Sequence, residues 1–150
     1  MGWIESEKTV ENAEIDLGRF WPKISSRIFF EQYRPPSELP VETVLEQLRQ
    51  AAVRIRLELK AWAARQTAAS LAEVEQDTID GEGEKILLFR RAVYCEAKAE
   101  LLKETLTADR RPDAENAAKT GGETEEKYRE YAADCISLIV GGHRVYVGVI

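Results

Sequence analysis

The stretch PVETVLEQLRQAAVRIRLELKAWAARQT, residues 40–67, decides how this chain folds. Val41, Val44, Leu45, Leu48, Ala52, Ile55, Leu59 and Trp62 recur at three- and four-residue spacing, which places them on one face and predicts a single amphipathic helix over about 41–67. Pro40 suits its start, because proline presets the helical φ and the first amides of a helix have no internal partner. At 1.5 Å per residue such a helix is ~40 Å long, and an apolar face of that length needs other helices to cover it. Arg49, Arg54, Arg56, Lys60 and Arg65 are assigned to its polar side.

Reading toward the carboxy terminus, residues 70–80 allow one further helical turn around Leu71 and Val74, and Asp80-Gly81-Glu82-Gly83 has the chemistry of a turn. Ile86, Phe89, Val93, Ala97 and Leu101, widened by Leu87, Ala92, Leu102 and Leu106, predict a second long helix over about 84–106. Residues 107–122 read as a mobile loop. A third helix, about 123–140, carries Glu123 with Lys127 and Glu125 with Arg129 in the favourable i,i+4 order, and turns Tyr128, Tyr131, Ala132, Cys135, Ile136 and Ile139 inward. Gly141-Gly142 ends it. The closing residues 143–150 alternate β-branched and aromatic side chains and read as a strand for which the chain offers no partner.

Toward the amino terminus, Ser25 or Ser26 suits the cap of a short helix bearing Ile28, Phe29, Phe30 and Tyr33, which Pro35-Pro36 stops. Residues 1–24 have no sustained period and read as an extended arm that needs another surface to lie on. The fold class is therefore all-α: a small bundle of three long helices plus short helices over 25–142, an amino-terminal arm over 1–24 and a carboxy-terminal strand over 143–150. Leu48, Ile55, Leu59, Trp62, Phe89, Val93, Ala97, Tyr131, Cys135 and Ile139 are expected to be buried where the long helices meet.

The 150 residues suit one domain, and a net charge of −6 supplies no basic field for gripping nucleic acid. The lone histidine, His143, supports no triad or HExxH helix, and Cys95 and Cys135 lack CxxC spacing and read as buried thiols. Asp77, Asp80, Glu82 and Glu84 do not follow the order of a calcium-binding loop, so they read as acidic residues favouring a helix start. No enzyme activity, metal or cofactor is expected. The opening residues have no basic region followed by an apolar run, so no secretory signal is expected, and no stretch is long enough to cross a membrane.

Phe20-Trp21-Pro22 with Ile24, the Phe29 to Arg34 stretch, Leu57-Glu58-Leu59 with Trp62, Ile79-Asp80-Gly81-Glu82, Leu88 to Tyr94, and Gly142, Arg144, Val147 and Ile150 resemble, in order and spacing, one family. It is the gpL-type head completion proteins of contractile-tailed temperate phages, and the likeness covers about 20–150. The resemblance implies a structural virion protein of the head-tail neck, assembled in the bacterial cytoplasm. It would form a ring, expected to be dodecameric, beneath the portal protein, seal the filled head and offer a surface to a tail terminator or the next neck protein, while packaged DNA passes through.

On that reading Arg144, Val145, Tyr146, Val147, Val149, Ile150, Trp3, Phe20, Trp21 and Ile24 are the expected portal or neighbour interface, and Arg49, Arg56 and Lys60 the expected contacts to DNA in the channel. The alternative from the residues alone is a stand-alone helical protein-binding module, a regulator or chaperone.

Overall fold

The computed structural model describes residues 12–108 and 124–141. The expected arm before residue 12, most of the 107–122 loop and the carboxy-terminal strand lie outside the described residues. Within them the chain is mainly helical, with two short antiparallel hairpins that the periodicity of the sequence did not predict.

The first hairpin pairs β1, Glu14–Ile15, with β2, Ile24–Ser25, setting Ile15 opposite Ile24. Ser25 then caps α1, Ser26–Tyr33, its hydroxyl accepting from the Ile28 amide at 3.3 Å. Arg34, at φ 45° and followed by proline, ends that helix. Helix α2 is Val41–Glu58 and α3 is Lys60–Ala64. The single helix expected over 41–67 is thus divided at Leu59, yet its ladder runs on, since Leu59 donates to the Ile55 carbonyl at 3.1 Å and Ala63 to that of Leu59 at 2.8 Å. It stops early because Arg65 and Gln66 donate to carbonyls three residues back, tightening the last turn.

The expected turn around Leu71 is a 3₁₀ turn, Leu71–Glu73. The second hairpin follows, with β3, Thr78–Ile79, paired with β4, Glu82–Gly83. Asp80 and Gly81 both have positive φ, 52° and 80°, which a two-residue turn between right-twisting strands requires and which Asp-Gly supplies at low cost. Helix α4, Glu84–Ala108, and α5, Glu125–Ile139, complete the bundle. Thr124 caps α5 through a 3.2 Å bond from the Lys127 amide.

Helix α4 is the centre, packed against α2 and against α5. Its residues Ala92, Val93, Tyr94 and Cys95 are all buried, and so are Ala97, Lys98 and Ala99. Consecutive buried positions point all round a helix, so α4 is enclosed there rather than lying on a surface by one stripe.

Nine of the ten expected core residues are buried, and Tyr131 is the correction, being 37 % exposed. The inward line of α5 runs through Ala132, Cys135 and Ile139, and Tyr131 stands about 100° from Ala132, where its ring meets the Arg91 guanidinium at 5.2 Å. Leu87, expected to widen the α4 stripe, is likewise at the surface.

Residues 12–24 pack on the chain's own helices. The Ser26 amide donates to the Ala13 carbonyl and that of Leu71 to Phe20, while the Trp21 ring stacks on Phe89 with centroids 4.8 Å apart. Ile24, expected at a neighbour interface, has no exposed surface, because pairing with β1 turns it into the core.

Candidate assembly groove

Of the residues that sequence reasoning assigned to interfaces, the structure brings two sets together. Arg49, Val53, Arg56, Leu57 and Lys60 share one flank of α2 and α3 by helical spacing, and residues 13–21 run beside it. Between them lies an open groove of about 600 Å³ lined by Leu17, Arg19, Phe20, Trp21, Arg56, Leu57, Lys60, Ala63 and Ala64. A second groove, of about 400 Å³, continues past Glu14, Ile15, Asp16, Leu17, Arg49, Val53 and Arg56 and so carries both signs of charge. Arg56 closes the junction by donating to the Leu17 carbonyl at 2.9 Å. Phe20 and Trp21, placed by one expectation at a neighbour, and Arg56 and Lys60, placed by another at DNA, therefore share one site. Trp3, Arg144, Val145, Tyr146, Val147, Val149 and Ile150 lie outside the described residues.

The larger groove combines three cationic side chains with an apolar floor and has no acidic lining residue, in a chain of net charge −6. The phenyl of Phe20 meets Trp21 edge-on at 4.8 Å, so the floor is held by the same aromatic stack that reaches Phe89. Leu57 is 61 % exposed at the rim. Arg49 is 3.4 Å from Glu46. Nothing in the periodicity of residues 17–21 signalled this groove, because it exists only where two segments some forty residues apart meet.

The second exposed feature is the β3–β4 hairpin, which is heavily braced for its size. The Gln76 side chain donates to the carbonyls of Leu71 and Val74 at 2.8 and 2.9 Å and accepts from the Lys85 amide at 2.6 Å. The Glu84 amide donates to the Asp77 carbonyl at 2.9 Å, and Arg90 holds Glu82 at 2.6 Å. Gly83 suits the brace, since a Cβ there would collide with the Gln76 side-chain amide. Gly83→Ala is therefore expected to cost about 1–3 kcal/mol by forcing Gln76 off its three backbone partners. Chemical denaturation measures the loss, and a change under about 0.5 kcal/mol would mean the brace adds nothing to stability.

A polar network ties the three long helices together. Arg129 on α5 donates to Glu96 at 3.0 Å, Glu100 at 2.8 Å and Glu125 at 3.0 Å, and Arg54 on α2 reaches the same Glu96 oxygen at 3.0 Å. The pair Glu125 and Arg129, expected from spacing, is present. Hydrogen bonding from Arg129 holds the Glu100 carboxyl below its usual range.

Burial pushes the Cys135 thiol up to about 11, with the nearby Cys95 raising it further, and burial raises Cys95 as well. Both thiols are thus protonated and weakly nucleophilic at neutral pH. A group whose pKa rises on folding contributes stability below its unfolded value, and that contribution is lost as pH climbs through the folded one. The fold should therefore weaken progressively above the ordinary thiol pKa of about 8.5, and native protein at pH 8 should react with a thiol reagent far more slowly than unfolded protein. Equal rates would contradict the burial of both cysteines.

Among the described residues no group of three or more His, Cys, Asp and Glu is placed to hold a metal ion, and no helix is long and apolar enough to cross a membrane. Neither the curated proteins nor the solved structures compared with the chain gave a match. A family model described as phage head completion protein (GPL) matches residues 15–150.

Proposed function

The chain belongs to the phage head completion protein (GPL) family, and from that premise we propose that it assembles as a ring beneath the portal protein, seals the DNA-filled capsid and presents the surface on which the tail attaches. The family match over 15–150 is the observation that carries this reading. A structural role in head completion follows from the family itself. The ring, expected to be dodecameric, the portal and a tail terminator or next neck protein as partners, and a place in the head-tail neck after assembly in the host cytoplasm are the finer parts of the proposal.

The physical features agree with an assembly subunit. A three-helix scaffold locked by the Arg129 network gives a rigid block, and the groove between residues 13–21 and α2 gives that block a recess for a partner. The overall charge of −6 suits a channel through which DNA slides without sticking. Arg56 is tied to Leu17, Arg49 lies against Glu46, and Lys60 lines a recess, an arrangement that suits contact with protein better than with DNA phosphates.

Residues 143–150 are proposed to dock on the portal by strand addition, with backbone pairing giving affinity and Val145, Val147 and Val149 entering pockets on one face. Deleting them should leave the circular dichroism melt unchanged and abolish binding to filled, tailless heads, so that particles leak DNA. Val147→Pro is the sharper variant, because it removes one ladder donor and keeps the tail. Normal virions from either variant would rule the docking out.

A further inference from the structure

We propose that the groove lined by Arg19, Phe20, Trp21, Arg56, Leu57 and Lys60 receives the β3–β4 hairpin of a second copy of this chain. The proposal rests on the ring reading and names the surfaces that would join its subunits. Strand alternation puts Asp77 and Ile79 on one face of the hairpin, and the register sets Glu82 directly opposite Ile79. That face thus carries an isoleucine 54 % exposed between the Asp77 carboxylate and that of Glu82, which Arg90 already holds. The groove carries an apolar floor between cations, so that Asp77 supplies the open negative charge. Each is the complement of the other in charge and in apolar surface. None of residues 77–84 lines the groove of its own chain.

Two further observations favour this occupant. The hairpin is rigid, held by Gln76, by the Glu84 amide and by Arg90, so little freedom is lost when it docks. A contact between like grooves would set three cations against three, whereas hairpin into groove uses two different surfaces. Such a heterologous contact leaves one groove and one hairpin open on every pair, so it propagates and closes into a ring when the rotation per step allows. Because the joint is partly ionic and lies at the surface, added salt should weaken it.

Sedimentation velocity on the full chain tests the assignment, using Ile79→Lys and Leu57→Lys. Both positions are well exposed, so neither change should disturb the fold. Wild-type protein should self-associate at about 50 mM salt and dissociate toward monomer near about 500 mM. Each variant alone should associate roughly tenfold or more weakly, because each loses one apolar contact and gains a charge. An equimolar mixture should form a one-to-one dimer and nothing larger, since only one intact hairpin and one intact groove remain to meet, and the other joint sets lysine against lysine.

Association as strong as wild type in both variants would overturn the docking of hairpin in groove and leave the ring reading standing. Loss of association in Leu57→Lys but not in Ile79→Lys would give the groove to a different occupant and overturn it equally. Wild-type protein that stays monomeric across the range would also overturn it. The ring reading would then be judged on attachment to filled heads, which does not require free subunits to associate.

Discussion

Phe89→Ala is expected to lower the stability of the fold by about 3–5 kcal/mol, the range for removing a buried phenyl ring. Phe89 has no exposed surface and stands where the second turn of α4 meets the stacked ring of Trp21. Truncation leaves a cavity under Trp21 and removes the partner that holds Phe20 and Trp21 as the floor of the groove. The loss should therefore appear twice, as a lower denaturation midpoint and as a change in tryptophan fluorescence of the folded state. Val53→Ala, at an exposed position of α2, is the control and should stay within about 0.5 kcal/mol. A loss under about 1 kcal/mol for Phe89→Ala would mean that Trp21 collapses into the space, against the rigid floor described above.

Lys98→Met is expected to cost about 2–3 kcal/mol although it removes a charge from the core. Lys98 is only 4 % exposed, and its ammonium donates to the carbonyls of Tyr33 at 2.7 Å and Arg34 at 2.8 Å, the orphan groups at the end of α1. Methionine fills nearly the same space but leaves both carbonyls without their charged donor, each worth about 1–3 kcal/mol when stranded, and relief of the buried charge offsets part of that. Urea denaturation measures the net effect. A stability equal to wild type would show that water reaches the two carbonyls and that the lysine is dispensable to the α1 terminus.

These two positions also mark the limit of what local pattern conveys. Phe89 was legible as core because it repeats with Ile86 and Val93 at helical spacing, and a repeat of that kind needs no knowledge of the partner. Lys98 was not, because a lysine inside a helix ordinarily reaches water, and only the return of α1 over α4, more than sixty residues away in the chain, supplies its acceptors. Tyr131 failed in the opposite sense. Its apolar ring fits an inward stripe by composition, and one position of helix rotation is enough to carry it to the surface beside Arg91.

The sequence by itself determined the three long helices, the Ser25 start of the short one, the Glu125 to Arg129 pair and the turn at Asp80-Gly81, since each depends on residues within one or two turns of each other. Tertiary structure alone decided that α4 is enclosed around Ala92 to Cys95, that Ile24 turns into the core, and that Gln76 braces a hairpin against the 3₁₀ turn. It also decided that Phe20 and Trp21 face Arg56 and Lys60 across one groove. The physical reason is the range of the forces involved. Helix periodicity and turn chemistry are written in neighbouring side chains, whereas burial on a second face and the complementarity of a groove arise only when segments far apart in the chain displace water from each other.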